Sequence, residues 1–180
     1  LFQSVERTER FGAEVGPRGA LAVRAIRSLH PRARIPFGDL EGRARAEGLA
    51  AVLTARDAPG RNAFGVIPPF ADRPALAEGE ARFRGEAVAL VVGEAETVER
   101  LGLDAALVSF EPLPAVTTVD AARAEGAPLL HVSRPGNLLI AGRVVSGDAE
   151  AALADAAQVV EGAMQTPFVE HACVEPEAGA

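Results

Sequence analysis

The sequence predicts an α+β fold, a mixed sheet with short helices, and three observations carry that expectation. Residues 83–94 form an apolar, β-branched run bracketed by Gly85 and Gly93, the pattern of a strand covered on both faces and central to its sheet. Residues 94–103 then take helical spacing, with Val98 and Leu101 on one face, and residues 106–110 return to strand-like composition. Pro112 and Pro114 follow, withholding two backbone donors and imposing an extended path, so the sheet is expected to end there.

The remaining elements are short. Residues 1–17 are charged and end in Gly16-Pro17, which predicts an extended arm. Residues 20–28 alternate well enough for a first strand. Asp39 before Leu40 and Gly48 after Glu47 frame a short helix as N-cap and C′ residue, despite Gly42 inside it. Residues 49–54 are the next strand. Residues 61–82 hold several prolines and glycines with Phe64, Val66, Ile67 and Phe70 among them. A flexible linker is poor in such residues, so this stretch reads as an ordered loop buried by a neighbour.

Beyond the prolines, Thr117 or Thr118 is placed to cap a helix reaching about Ala124, closed by Gly126. A turn is expected at 134–137 and a strand at 138–141. Asp148 caps a helix whose inner face is Ala152, Leu153 and Ala156, and 159–164 returns as strand. Residues 169–174 read as one more strand.

The 180 residues suffice for one well-buried domain plus a piece of another. All 18 basic residues are arginine against 25 acids, net −7, a poor balance for a nucleic-acid partner. Residues 1–45 nevertheless carry nine arginines and five acids, a solvated basic face or a docking surface. The single cysteine, Cys173, excludes an internal disulfide and fits a reducing compartment. No apolar run approaches the ~18 residues of a membrane span, and no secretion signal is visible before the charges at Glu6 and Arg7. A cytoplasmic protein is expected.

Neither a dinucleotide-binding glycine motif nor a P-loop occurs. His171, Cys173 and Glu175 can be drawn as a mixed metal ligand set, but the spacing of zinc sites is missing. A strand with alternate residues facing a core is the plainer reading. Cys173 has apolar and acidic neighbours, which disfavour a reactive thiolate. Ser28 near His30, and Glu170 near Glu175, lack a third orienting group. Arg82 and Arg84 have the chemistry to bind a carboxylate or phosphate, but between Glu80 and Glu86 they are expected to form solvated ion pairs. No catalytic, cofactor-binding or metal-ligating residue is assigned.

F-R-G-E-A-V-A-L-V-V at 83–92, followed by F-E-P-L-P-A-V at 110–116, resembles the N-terminal α/β hammerhead domain of the molybdenum hydroxylases, the xanthine dehydrogenase and aldehyde oxidase family. Three further stretches are similar to that family: R-S-L-H-P-R-A-R-I at 27–35, where Pro31 replaces a usual alanine, the Gly147 to Gly162 helix-strand pair, and 168–176, where Glu170 replaces a frequent glutamine. The resemblance covers residues 2–180 and implies three regions: an arm at 1–17, the hammerhead at 18–135, and the start of a truncated molybdopterin-binding domain at 136–180.

It also implies an oxidoreductase that inserts a water-derived oxygen into an aldehyde, purine or N-heterocycle. Molybdenum-molybdopterin would sit in the full-length subunit, with [2Fe-2S] clusters and FAD in partner subunits or domains, in a complex that is a homo-oligomer. This chain, an N-terminal fragment on that reading, is expected to be an inactive scaffold and subunit contact with no cofactor of its own. The alternatives are a fragment of a carbon monoxide dehydrogenase large subunit and a stand-alone interaction module.

Overall fold

The computed structural model describes residues 16–101, 107–167 and 169. The chain divides into two units, Gly19–Leu138 and a second made of Leu1–Arg18 with Leu139–Ala180. The expected arm and the strand at 169–174 lie outside the described residues, apart from Gly16, Pro17 and Val169.

The Gly19–Leu138 unit holds two three-stranded sheets. In the first, β5 (Ala87–Gly93) lies between β1 (Ala22–Arg27) and β3 (Ala51–Leu53), antiparallel to both. The expected central strand is therefore central. Ala89, Val91 and Gly93 alternate into the core on one face, and Val88 is fully buried on the other. Leu90 and Val92 are only half-buried, so the second face is covered at one end alone. The strands either side explain the order: a β-branched run with no charge suits the middle position, while β1, which carries Arg24 and Arg27, leaves Val23 60% exposed at the edge. In the second sheet, β2 (Ala33–Arg34) lies between β4 (Glu80–Ala81) and β6 (Glu111–Pro112), again antiparallel. Ala33 pairs with both Ala81 and Pro112 and is fully buried.

Three expectations are corrected here. Every described strand pairing is antiparallel, where the sequence reading had a mixed sheet. Of the strand expected at 106–110, the described residues 107–110 form a turn at 107–108 and an irregular stretch after it, although Leu107 and Val108 are buried. Arg43 accounts for part of this: its Nη1 donates to the Leu107 carbonyl at 2.9 Å, satisfying an acceptor that a sheet ladder would otherwise use. The stretch at Pro112 that was expected to end the sheet is itself β6. As an edge strand it tolerates a proline, and the ladder bond passes to the next residue, Leu113 N–H donating to Arg32 O at 3.0 Å.

The helices are capped as their sequences require. α1 (Leu40–Ala46) starts at Asp39, whose carboxylate accepts from Gly42 N–H at 2.9 Å. It ends at Gly48, φ +76°, where Gly48 N–H bonds Arg45 O and Leu49 N–H bonds Ala44 O. That is a Schellman closure, with buried Leu49 and Ala44 as its apolar contact. α2 (Ala95–Arg100) buries Val98 and is tied to β1 by Arg24 Nη1 donating to Val98 O at 3.3 Å. α3 (Val119–Arg123) is capped by Thr118.

In the other unit, α4 (Ala149–Ala154) is capped by Asp148, as expected. Its Ala152 and Leu153 are exposed, and so is Ala156, so the expected inner face is not buried by the described residues. Residues 138–141 and 159–164 are not strands: strand preference depends on a neighbour to pair with and an apolar face to cover, and neither is supplied there.

Candidate functional site

The residues with recognition chemistry gather around the loop 61–82, and local chemistry explains how the loop is held. Pro68 and Pro69 open a single 3-10 turn, Pro68–Phe70, since a missing N–H costs nothing at a helix start. Ile67 before them is extended, as a residue preceding proline must be. Phe64 and Arg73 exchange backbone hydrogen bonds across the loop at 2.8 and 3.3 Å. Gly65 allows the crossing, because a Cβ there would lie 2.7 Å from Ala71 Cα. Phe64, Val66 and Ile67 are 51%, 100% and 58% exposed, so the neighbour expected to bury this loop is not among the described residues.

Two arginines work on the aromatic side chains of the loop. The Arg73 guanidinium lies 5.4 Å from the Phe64 ring centre and 5.2 Å from that of Phe83, within the range of cation–π attraction. Arg134 lies 5.3 Å from Phe70, donates to Pro69 O at 3.1 Å and pairs with Asp72 at 3.3 Å. The turn that aims Arg134 depends on Asn137, which adopts φ +54°. Its Oδ1 accepts from Leu130 N–H, and its Nδ2 donates to Ala122 O and Pro128 O.

Beside these residues is a depression of about 390 Å3 lined by Asp72, Arg73, Pro74, Arg82, Phe83, Glu86, Leu130 and His131. A larger cavity of about 570 Å3 lies between the start of α1 and the end of β3. Two of its carboxylates already serve the backbone. Asp39 caps α1, and Asp57 accepts from Thr54 N–H at 2.7 Å and Thr54 Oγ at 3.0 Å. Those two bonds hold the Asp57 carboxyl below its ordinary value of 3.8.

Ser28 and His30 make no hydroxyl–imidazole pair: Ser28 is buried, and its Oγ exchanges bonds with the His30 backbone at 3.0 and 3.2 Å. The His30 ring packs on Phe110 at 5.8 Å instead. Glu170, His171, Cys173 and Glu175 lie outside the described residues. Arg82 does not form the ion pair expected of it. Glu80 pairs with Arg32 at 2.7 Å, and Glu86 accepts from the backbone N–H of Arg82 at 2.6 Å. Sequence reading missed Arg73 and Arg134, because their aromatic partners are known only once the loop is folded.

Among the described residues no three His, Cys, Asp or Glu side chains converge as metal ligands, and Asp39 and Asp57 are engaged by backbone N–H groups. Nor is any described helix long and apolar enough to cross a membrane.

Known proteins are similar to this chain. Residues 14–114 match the family described as aldehyde oxidase and xanthine dehydrogenase, a/b hammerhead domain. The nicotinate dehydrogenase large molybdopterin subunit of Eubacterium barkeri is 31% identical over 178 residues, 99% of this chain and 41% of that subunit. The solved structure of quinoline 2-oxidoreductase from Pseudomonas putida 86 superposes with a TM-score of 0.62 at 31% identity, covering 85% of this chain and 20% of that one. The aldehyde oxidoreductase from Desulfovibrio gigas gives 0.61 at 28% identity, covering 71% and 15%. The chain thus spans less than half the length of these relatives. With antiparallel sheets and short helices where the hammerhead match falls, this chain belongs to the aldehyde oxidase and xanthine dehydrogenase family of molybdenum hydroxylases.

Proposed function

We propose that this chain is the hammerhead portion of a molybdopterin-binding large subunit, serving as scaffold and subunit contact in a hydroxylase that inserts a water-derived oxygen into an N-heterocycle or an aldehyde. The observation that carries the reading is the hammerhead match at 14–114, together with similarity across 99% of the chain to a large molybdopterin subunit. N-heterocycles come first because nicotinate and quinoline, named in two of the relatives, are both of that class.

On this reading the hammerhead occupies residues 18–135, and residues 136–180 begin the molybdopterin-binding domain. Molybdenum-molybdopterin is held by the remainder of the subunit, and electrons leave through [2Fe-2S] clusters and FAD in partner subunits or domains. The complex is a cytoplasmic homo-oligomer. On the same reading the chain by itself has no hydroxylase activity.

The test is to purify the whole subunit with its partners and assay nicotinate, quinoline, xanthine and benzaldehyde in 18O-labelled water. Labelled product and near-stoichiometric molybdenum in the complex, with neither in the 180-residue chain alone, are expected. Molybdenum bound by the 180-residue chain, or a whole protein free of molybdenum and inert to all four compounds, would overturn the proposal.

A further inference from the structure

The carboxylates that neighbour Arg82 and Arg73 in the sequence already have partners. Glu80 is held by Arg32, Glu86 by the backbone N–H of Arg82, and Asp72 by Arg134. Among the described residues neither the Arg73 nor the Arg82 guanidinium has an acidic partner. Both line the same depression of about 390 Å3.

Arg73 is also unusually well held for an exposed side chain. Its guanidinium rests against Phe64 and Phe83, and its backbone is bonded to that of Phe64 in both directions. A fork fixed in this way loses less freedom on gaining a partner, and a planar fork accepts a carboxylate through two parallel bonds.

We propose that Arg73 and Arg82 form a receptor for a carboxylate side chain borne by an acidic and apolar polypeptide segment. Two observations choose this partner. Asp72 and Glu86 line the same depression, so the charges around it nearly cancel and a free anion such as phosphate gains little there without apolar contacts beside it. Exposed Phe64, on which Arg73 rests, is followed along the loop by exposed Val66 and Ile67, giving the mixture of arginine and large apolar surface at which protein interfaces concentrate their affinity. The proposal is independent of the catalytic reading of the whole subunit.

The experiment titrates the 180-residue chain with a labelled peptide, acetyl-Phe-Glu-Leu-Glu-Leu-amide, following anisotropy and the side-chain Nε–H signals of Arg73 and Arg82. A second peptide carries Gln in place of Glu, and inorganic phosphate is a third arm. The Glu peptide is expected to bind and shift both arginine signals, the Gln peptide to bind about tenfold more weakly or not at all, and phosphate to shift neither. Arg73→Lys, which keeps the charge but not the fork, is expected to weaken binding several-fold, and Arg82→Gln likewise. Arg100→Gln on α2, away from the depression, should leave binding unchanged. Arg82→Gln carries the test if substitution of Arg73 loosens the loop. Equal binding of the two peptides, unchanged binding in Arg82→Gln, shifts produced by phosphate alone, or no binding at all would overturn it.

Discussion

Asn62 and Leu76 are bonded to each other in both directions: Asn62 Nδ2 donates to Leu76 O at 2.8 Å, and Asn62 Oδ1 accepts from Leu76 N–H at 3.1 Å. The side-chain amide thus acts as a strand partner for a buried backbone group, closing the base of the 61–82 loop. Asn62→Ala leaves both Leu76 groups without a partner at a residue only 8% exposed. Destabilisation of about 1–3 kcal/mol is expected. Equilibrium denaturation checks this, and a loss below about 0.5 kcal/mol, the range of ordinary surface substitutions, would show that water replaces the amide.

Gly65→Ala brings a methyl group 2.7 Å from Ala71 Cα and 3.1 Å from Phe70 O, both backbone atoms that cannot swing aside. The loop must open. Faster amide exchange at Phe64 and Arg73, whose N–H groups bridge the loop, is the expected readout, with β5 amides unaffected. Unchanged protection at Phe64 would contradict the closeness of that crossing.

Substitutions along β5 should depend on the face. Val91→Asp places a carboxylate where the side chain is 2% exposed, across from Arg24 on β1, whose guanidinium is already bonded to the Val98 carbonyl, and the chain should fail to fold. Leu90→Asp on the half-buried face should destabilise less and leave a cooperatively melting protein. Circular dichroism of the two variants compares them directly, and an equal loss in both would mean that both faces are covered in solution.

Asp57 links stability to acid pH. Its folded-state value is depressed by the Thr54 backbone N–H and hydroxyl, so its ionised form stabilises the fold at pH above the ordinary 3.8. That contribution is lost as pH falls through the lower, folded value. Asp57→Ala should therefore lower the melting temperature at pH 7 and make little difference at the acidic end of the titration. A gap between wild type and variant that persists undiminished in acid would refute the linkage.

What the sequence by itself determined is local. Caps at Asp39, Thr118 and Asp148, closure at Gly48, and the β-branched run of β5 are set by neighbours within a few residues, so composition and spacing suffice to read them. The family resemblance rested on the same contiguous stretches. Tertiary structure decided the rest, because it depends on which distant groups meet. Arg32 takes Glu80 from 48 positions away, and Arg34 takes Glu111 from 77, leaving Arg82 without the ion pair its own neighbours suggested. Pro112 becomes a strand residue only because β2 offers it an edge, and residues 138–141, equally apolar, form none because no described strand lies beside them. A backbone hydrogen bond needs a partner in space, and one-dimensional order does not say which partner arrives.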